Sequence, residues 1–567
     1  MCGKYGRPMN ARRLFWPVTG ALLAFLAIVQ ILSVQQESPI FDEPIELAAG
    51  YSYLHTGDFR LNPEHPPLMK LLVTLPLLAL RPSFPIESAY WAKPDEYVFG
   101  LQFFFGNGAR ANRFLFAARL VAILLTALLG LAMALWTRSV FGPAAAMLAL
   151  ALYAFDPTLT AHGRYIKNDL PMALWGFLAT IAWTSYLARP GLRRLLLAGL
   201  ALALAAATKF SAVYLPPVFI ILYAIHWWQS RDRTSLWRGI GAFLAVNALA
   251  VGLVLLLYAS ISASHGLTTG GVDRRVIHDL LDRNQPAATA RMIARGVLHA
   301  HPFLEGLVVF LDHNTIGHPA YLFGMHSLKG WWYYFPAAFA VKTPVATLAA
   351  LGLAAFLVAA ALRSTAIRSL SFAWFVVAVP LVVYAAFSLA SHLDMGVRHL
   401  LPLYPFLFIL AAAALTRLPL RHRGVILGVV CAGLAIESLS IYPHYLAFFN
   451  IAAGGPAHGA AVLADSNIDW GQDAANLKRW MDAHGVSQIC LDYFGTANLE
   501  LLGIHGQYLA KTWETAQRAS LNCFAAISVD SLDELFLQPG SYSWLRALRP
   551  VARIGYSIYV YDLRKGK

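Results

Sequence analysis

Apolar runs of about 20 residues recur along this chain, long enough to cross a hydrocarbon core of roughly 30 Å as one helix, except that the run at 195–208 is short enough to be a re-entrant or core segment. They fall near 14–34, 114–136, 143–161, 170–187, 195–208, 212–228, 239–261, 345–362, 370–389, 400–415 and 425–441. Of the 567 residues, 58% are hydrophobic and only 13% charged, against roughly 25% charged in an ordinary soluble chain. Backbone groups in lipid must find their hydrogen bonds within the segment, so such runs specify helices. The expected fold is a polytopic α-helical membrane protein with about eleven transmembrane helices. The region 195–228 is read as two helices joined by a tight turn at TKFS, because a single helix would invert the charge pattern of everything that follows.

A formal charge of +14 could suggest nucleic acid, but the cations are not massed in one patch as that partner requires. They mark topology instead. Lys4, Arg7, Arg12 and Arg13 precede the first run, and alternate short loops carry Arg138, then Arg189, Arg193 and Arg194, then Arg231, Arg233 and Arg238, then Arg363 and Arg368, then Arg417, Arg421 and Arg423. The positive-inside bias places these segments and the N-terminus in the cytoplasm. The segments 35–113, 262–344 and the tail from about 442 then face outward. In the first, EPIELAAGYSYLHTG and PLMKLLVTLPLLAL read as interfacial helices with apolar faces toward lipid. In the second, the aromatic cluster of KGWWYYFPAAFAVKTP reads as an interfacial belt, with substrate stacking as the alternative.

The tail changes character. DWGQDAANLKRWMDAHG has helical spacing and stops at a glycine, while VSQICLDYF, LNCFAAISV and ARIGYSIYVYDL read as strands. The chain is thus divided into a membrane domain, 1–444, and an exported α/β domain, 445–567. Cys490 and Cys523 lie on two of those strands; an oxidising compartment permits a disulfide between them, and two free thiols are the alternative. The first run is too long, and lacks the small-residue cleavage site, to be a secretory signal. The large exported area carries no N-x-S/T sequon, which favours a bacterial inner membrane.

Charge at the rim of a membrane needs a reason. The first outer loop opens with Asp42 and Glu43, and a helix N-cap explains Asp42 blandly, with Pro44 in the first turn. FDPTLTAHGRYIKNDLPMAL carries Asp156, Arg164, Lys167 and Asp169, the last again a candidate cap. Lys209 could merely snorkel, and His392, Asp394, Arg398 and His399 could anchor an interface. Together, however, four distant stretches bring carboxylates and cations to the outer rim, where a lipid phosphate lies. A sugar on a polyprenyl phosphate has a good leaving group, so one carboxylate suffices to take the acceptor's proton while cations neutralise the departing phosphate.

In FDEPIELAAGYSYLHTGDFRLNPEHPPLMKLL, HGRYIKND, TKFSA, GWWYYFPAAFAVKTP, GVRHLLPLYPF and ADSNIDWGQD, over about residues 14–480, the chain resembles the bacterial branch of the dolichyl-phosphate-mannose protein mannosyltransferase family, with the ArnT-type transferases, in the GT-C superfamily. The resemblance implies a GT-C-like fold and an inverting glycosyltransferase. Its donor would be a polyprenyl-phosphate-linked sugar, and its acceptor an exported protein, lipid or polysaccharide, in contact with membrane lipids and without nucleic acid. It makes Asp42 the catalytic base with Glu43 beside it and Asp169 a second acid. Lys209, Arg398 and Arg164 would bind the donor phosphate, and His65 and His399 would be further substrate contacts. No obligatory cofactor is implied, with a divalent metal as the alternative, since related enzymes differ in metal use although no tight His/Asp ligand spacing appears here. The alternative class is a transporter or lipid flippase, which would place ionisable groups near the bilayer midplane.

Overall fold

All eleven apolar runs fold into helices, and the sites where they break are chemically legible. The computed structural model describes residues 9–230, 235–263, 301–364, 367, 370–418, 423–509, 521–538 and 540–564. Lys4, Arg7, Arg231, Arg233, Arg368 and Arg421, and residues 264–300 of the second outer segment, lie outside them. Among the described residues eight helices are long and apolar enough to span a bilayer: Ala11–Val34, Gly108–Phe141, Asp169–Ala188, Phe210–Ser230, Leu236–Ala263, Val345–Arg363, Phe372–Leu389 and Val397–Leu415. The chain is an integral membrane protein. The other three expected spans are the shorter helices Pro143–Ala154, Leu192–Ala206 and Arg423–Ser440.

The run 143–161 is interrupted at Asp156, where Pro157 cannot donate an N–H and the Asp156 carboxylate accepts the Leu159 N–H at 2.9 Å to start a new turn. Region 195–228 is two elements, as its charge pattern requires. Leu192–Ala206 ends before Lys209, which is extended, and the chain re-enters through the turn Phe210–Tyr214 into Leu215–Ser230, whose Pro216 and Pro217 sit in the first turn where an N–H is not needed. The start of Val345–Ser364 is capped from a neighbouring helix: Glu437 accepts the backbone N–H groups of Val345 and Ala346 at 3.0 and 3.3 Å.

The helix Glu43–Thr56 is not the lipid-facing interfacial helix its pattern suggested. Residues 43–53 are all buried, because Gly50 lets the backbone of the next helix, Leu68–Leu80, approach so closely that a Cβ would stand 2.3 Å from the Lys70 carbonyl oxygen. Leu68–Leu80 keeps the expected division, with Met69, Val73 and Leu77 inward and Leu75 and Leu78 outward.

After the last membrane helix, residues 445–473 form short turns packed on the helical body, with Tyr445, Phe448 and Trp470 against Val29, Ile40 and Tyr165. A small C-terminal domain follows. Its helix Ala474–Ala483 buries Ala474, Leu477 and Met481, spaced three and four apart, against a five-stranded sheet, and stops before Gly485 at φ 62°. Numbering the hairpin strands Ala320–Leu322 and Met325–Ser327 as β1 and β2, the sheet comprises β3 (Ile489–Asp492), β4 (Gly506–Tyr508), β5 (Phe524–Ser528), β6 (Ala552–Ile554) and β7 (Ile558–Asp562). Their order is β4-β3-β5-β7-β6, with β3 parallel to β4 and β5 and the rest antiparallel. Cys490 and Cys523 are joined by a disulfide that crosses from β3 to the start of β5.

Candidate functional site

A cavity of about 540 Å³ lies where the first outer loop, the 164–169 stretch, the turn at 209, the 394–399 stretch and the C-terminal region converge. Asp42 forms part of its wall. The residue occupies the N-cap position of Glu43–Thr56, yet its carboxylate makes no capping bond; only its carbonyl holds the helix start, accepting Ile45 and Glu46 N–H at 3.1 and 2.9 Å. Asp95, by contrast, accepts the Tyr97 and Val98 N–H groups, as a cap should. The Asp42 side chain is 30% exposed, and its nearest cation is the Lys167 ammonium at 3.5 Å. Lys167 is held from behind by Glu46 at 3.2 Å and also faces the cavity.

Asp169 is buried and likewise makes no cap. One of its oxygens binds the Lys209 ammonium and the other accepts from Arg398 Nη1 at 3.1 Å. It does not reach the cavity; the two cations it gathers do. A carboxylate placed behind two cations gives them a fixed orientation while leaving a net positive face toward the opening. His399 follows Arg398 on the same wall. His65 lines the cavity too, with Nδ1 unpartnered among the described residues, and burial pushes its imidazole down to about 3, so that it is neutral. Apolar side chains, among them Val213, Phe310, Leu311 and Phe387, complete the chamber, and a narrower apolar cleft of about 220 Å³ opens beside Lys209 between Phe210, Pro216, Val254 and Leu307.

Besides Asp169, two more of the expected residues are not at this cavity. Glu43 is fully buried and bound by Arg119, Nε to Oε1 at 2.8 Å and Nη2 to Oε2 at 2.6 Å, and also accepts the Ile40 and Ile166 N–H groups. Arg164 pairs with Glu37, donates to the Thr160 carbonyl, and leaves no face toward the chamber. Glu43 and Arg164 both tie neighbouring stretches together away from this cavity. Conversely, Lys167, named among the rim charges but given no role by the sequence, stands on the cavity wall beside Asp42. Glu64 of NPEHPPL binds His313 at 2.6 Å, His313 Nε2 lies 3.3 Å from His318 Nδ1, and His318 stands 3.6 Å from Asp465, all four on the cavity wall. The hydrogen bond to Glu64 holds His313 above its usual value. Burial works to raise Glu64, but His313 and nearby cationic groups hold it below. Among the described residues no group of three or more His, Cys, Asp or Glu is arranged to hold a metal ion.

Residues 18–265 match the family described as dolichyl-phosphate-mannose-protein mannosyltransferase. No curated protein matches the chain. Among solved structures, ArnT from Cupriavidus metallidurans bound to undecaprenyl phosphate is similar over 96% of this chain and 98% of its own, at 14% identity and a TM-score of 0.47. The S. cerevisiae protein O-mannosyltransferase Pmt1-Pmt2 complex bound to the sugar donor is similar over 44% of this chain and 33% of its own, at 20% identity and a TM-score of 0.33. The Archaeoglobus fulgidus oligosaccharyltransferase is similar over 89% and 68%, at 13% identity and a TM-score of 0.39.

Proposed function

We propose that this chain, related through residues 18–265 to the dolichyl-phosphate-mannose-protein mannosyltransferases, is a glycosyltransferase that moves a sugar from a polyprenyl-phosphate donor to the hydroxyl of an exported acceptor. The observation that carries the reading is the composition of one chamber: a partly exposed carboxylate, Asp42, shares it with Lys167, Lys209 and Arg398, and an apolar cleft leads away beside Lys209. The phosphate of the donor sits against Lys209 and Arg398, which Asp169 orients from behind, and the prenyl chain follows the apolar side. Asp42 accepts the proton of the acceptor hydroxyl as its oxygen bonds to the anomeric carbon. The carbon–phosphate-oxygen bond breaks, and the charge that develops on the departing phosphate meets preorganised cations. One displacement by one nucleophile inverts the anomeric centre. Neutral His65, with a free ring nitrogen, hydrogen-bonds a sugar hydroxyl. The chamber faces the exported side of a bacterial inner membrane, as the arginine-rich loops on the opposite side require.

The test is release of polyprenyl phosphate from a polyprenyl-phosphate-linked sugar by the purified protein, with product glycan followed by mass spectrometry of the envelope from cells with and without the gene. Movement of labelled lipid across proteoliposomes with no glycosyl product would replace this reading by the transport alternative.

A further inference from the structure

Residues 464–473, ADSNIDWGQD, stand out in the sequence, yet the chemistry above uses none of them. Their contacts fall on both sides of the proposed reaction. On one side, Ser466 Oγ accepts the Arg398 Nε–H at 2.9 Å and donates its own hydrogen to the Met395 carbonyl at 2.7 Å. The Arg398 guanidinium lies 4.8 Å from the centre of the Trp470 ring, and Asn467 Oδ1 accepts the Val397 N–H at 3.0 Å. On the other side, the Trp470 carbonyl accepts the Phe41 N–H at 2.8 Å and the Gln472 carbonyl accepts the Ser38 N–H at 2.9 Å. Ser38 Oγ in turn accepts the Ala475 N–H at 2.9 Å. Phe41 is the residue before Asp42.

We infer that residues 466–475 are a positioning element that sets the proposed base, Asp42, in register with the proposed phosphate-binding Arg398. The inference rests on the roles given to those two residues above. Arginine has a long, rotatable stem, and Asp169 alone fixes only one edge of its fork. Ser466 fixes Nε, and the indole fixes the plane. Gly396 makes the approach of Ser466 feasible: it sits at φ 154°, and a Cβ there would stand 2.6 Å from Ser466 Oγ. On the opposite side the backbone bonds to residues 38 and 41 hold the turn that aims Asp42. Misplacement of a reacting group by about 1 Å costs on the order of a hundredfold in rate, so a seam touching both walls, with Trp470 itself on the cavity lining, governs turnover through position.

The experiment uses the purified full-length chain and two readouts: binding of a sugar-free polyprenyl phosphate, and turnover of the sugar-linked donor. Ser466→Ala is expected to weaken polyprenyl-phosphate binding about tenfold, the loss of one hydrogen bond to a charged group. Ser466→Thr keeps a hydroxyl and restores it. Adding Ser466→Ala to Arg398→Ala changes nothing further, because the two residues act through one group. Ser38→Ala, on the other wall, lowers kcat about tenfold with polyprenyl-phosphate binding retained, a split that general destabilisation does not produce. If Ser466→Ala does not fold, Ser38→Ala still reads the seam. Normal binding by Ser466→Ala, losses that multiply in the double variant, or a Ser38→Ala enzyme with unchanged kcat overturns the inference and leaves the site reading standing. Normal polyprenyl-phosphate binding by Arg398→Ala overturns both.

Discussion

The turn at residues 42–43 has a wet side and a dry side, and the two neighbouring carboxylates it carries meet opposite surroundings. Asp42 faces a chamber, is 30% exposed, and touches one ammonium at 3.5 Å. Glu43 faces the protein, is fully buried, and is saturated by Arg119 and two backbone N–H groups. A group with its lone pairs occupied cannot take up a proton in a reaction, and a group without fixed partners cannot hold a fold together. The acidic pair therefore divides by direction alone, with the proposed chemistry on one face and the anchoring of the 34–43 linker on the other.

The largest expected effect tests the wet side. Asp42→Asn keeps the shape but cannot accept a proton, so turnover should fall by about 10²–10⁴, while thermal stability holds because no capping bond is lost. Wild-type turnover in this variant would end the assignment. The dry side is tested by Glu43→Gln, which strands the Arg119 charge and should destabilise the fold by about 3–5 kcal/mol, read by thermal denaturation. Lost activity should then follow the folded fraction, and a stable but inactive Glu43→Gln protein would erase the contrast between the two sides. A smaller effect is expected from Lys209→Ala, which removes one of two cations sharing Asp169. Donor use should weaken about ten- to a hundredfold, measured as KM for the sugar-linked lipid, with the Asp169–Arg398 pair left intact.

The smallest effect concerns the chamber's far wall. His313 titrates above its usual 6.5, chiefly through its bond to Glu64, so its contribution to stability is complete below that value and fades as pH rises through the higher folded one. Glu64 titrates below its usual 4.5 and contributes above it, fading as acid approaches the lower folded value. The stability advantage of the native protein over His313→Gln should thus be greatest between 4.5 and 6.5, shrink toward pH 9, and amount to about 1 kcal/mol or less, as for pairs near a surface. A flat difference across that range would remove the ion pair from the description of the wall.

The helical body was readable because lipid imposes one solution on a long apolar run, and charge marked the break at Lys209, whereas the break at Asp156 falls inside a run read as continuous, 143–161. Asp42, Lys209, Arg398, His65 and His399 meet on one chamber, in keeping with the expectation that their distant stretches gather charge at one level. The split between Asp42 and Glu43 was not readable, since it depends on Arg119, which arrives from another helix. The Glu64–His313 pair spans 249 positions, and no local pattern announces it. Burial of Glu43–Thr56 was missed because its apolar periodicity fits a lipid surface equally well, and only the close approach at Gly50 decides the matter.

The seam between Ser38 and Ala475 joins residues 437 positions apart, and that separation acts as a clock during synthesis. At about 5–20 residues per second, the turn bearing Asp42 enters the membrane roughly 20–90 seconds before the segment that will hold it has been made. Throughout that interval the Ser38 hydroxyl has no Ala475 N–H to accept, and the 38–42 turn lacks its partner segment. Under the function proposed above, a chain truncated before residue 466 lacks the seam and is expected to show no glycosyl transfer.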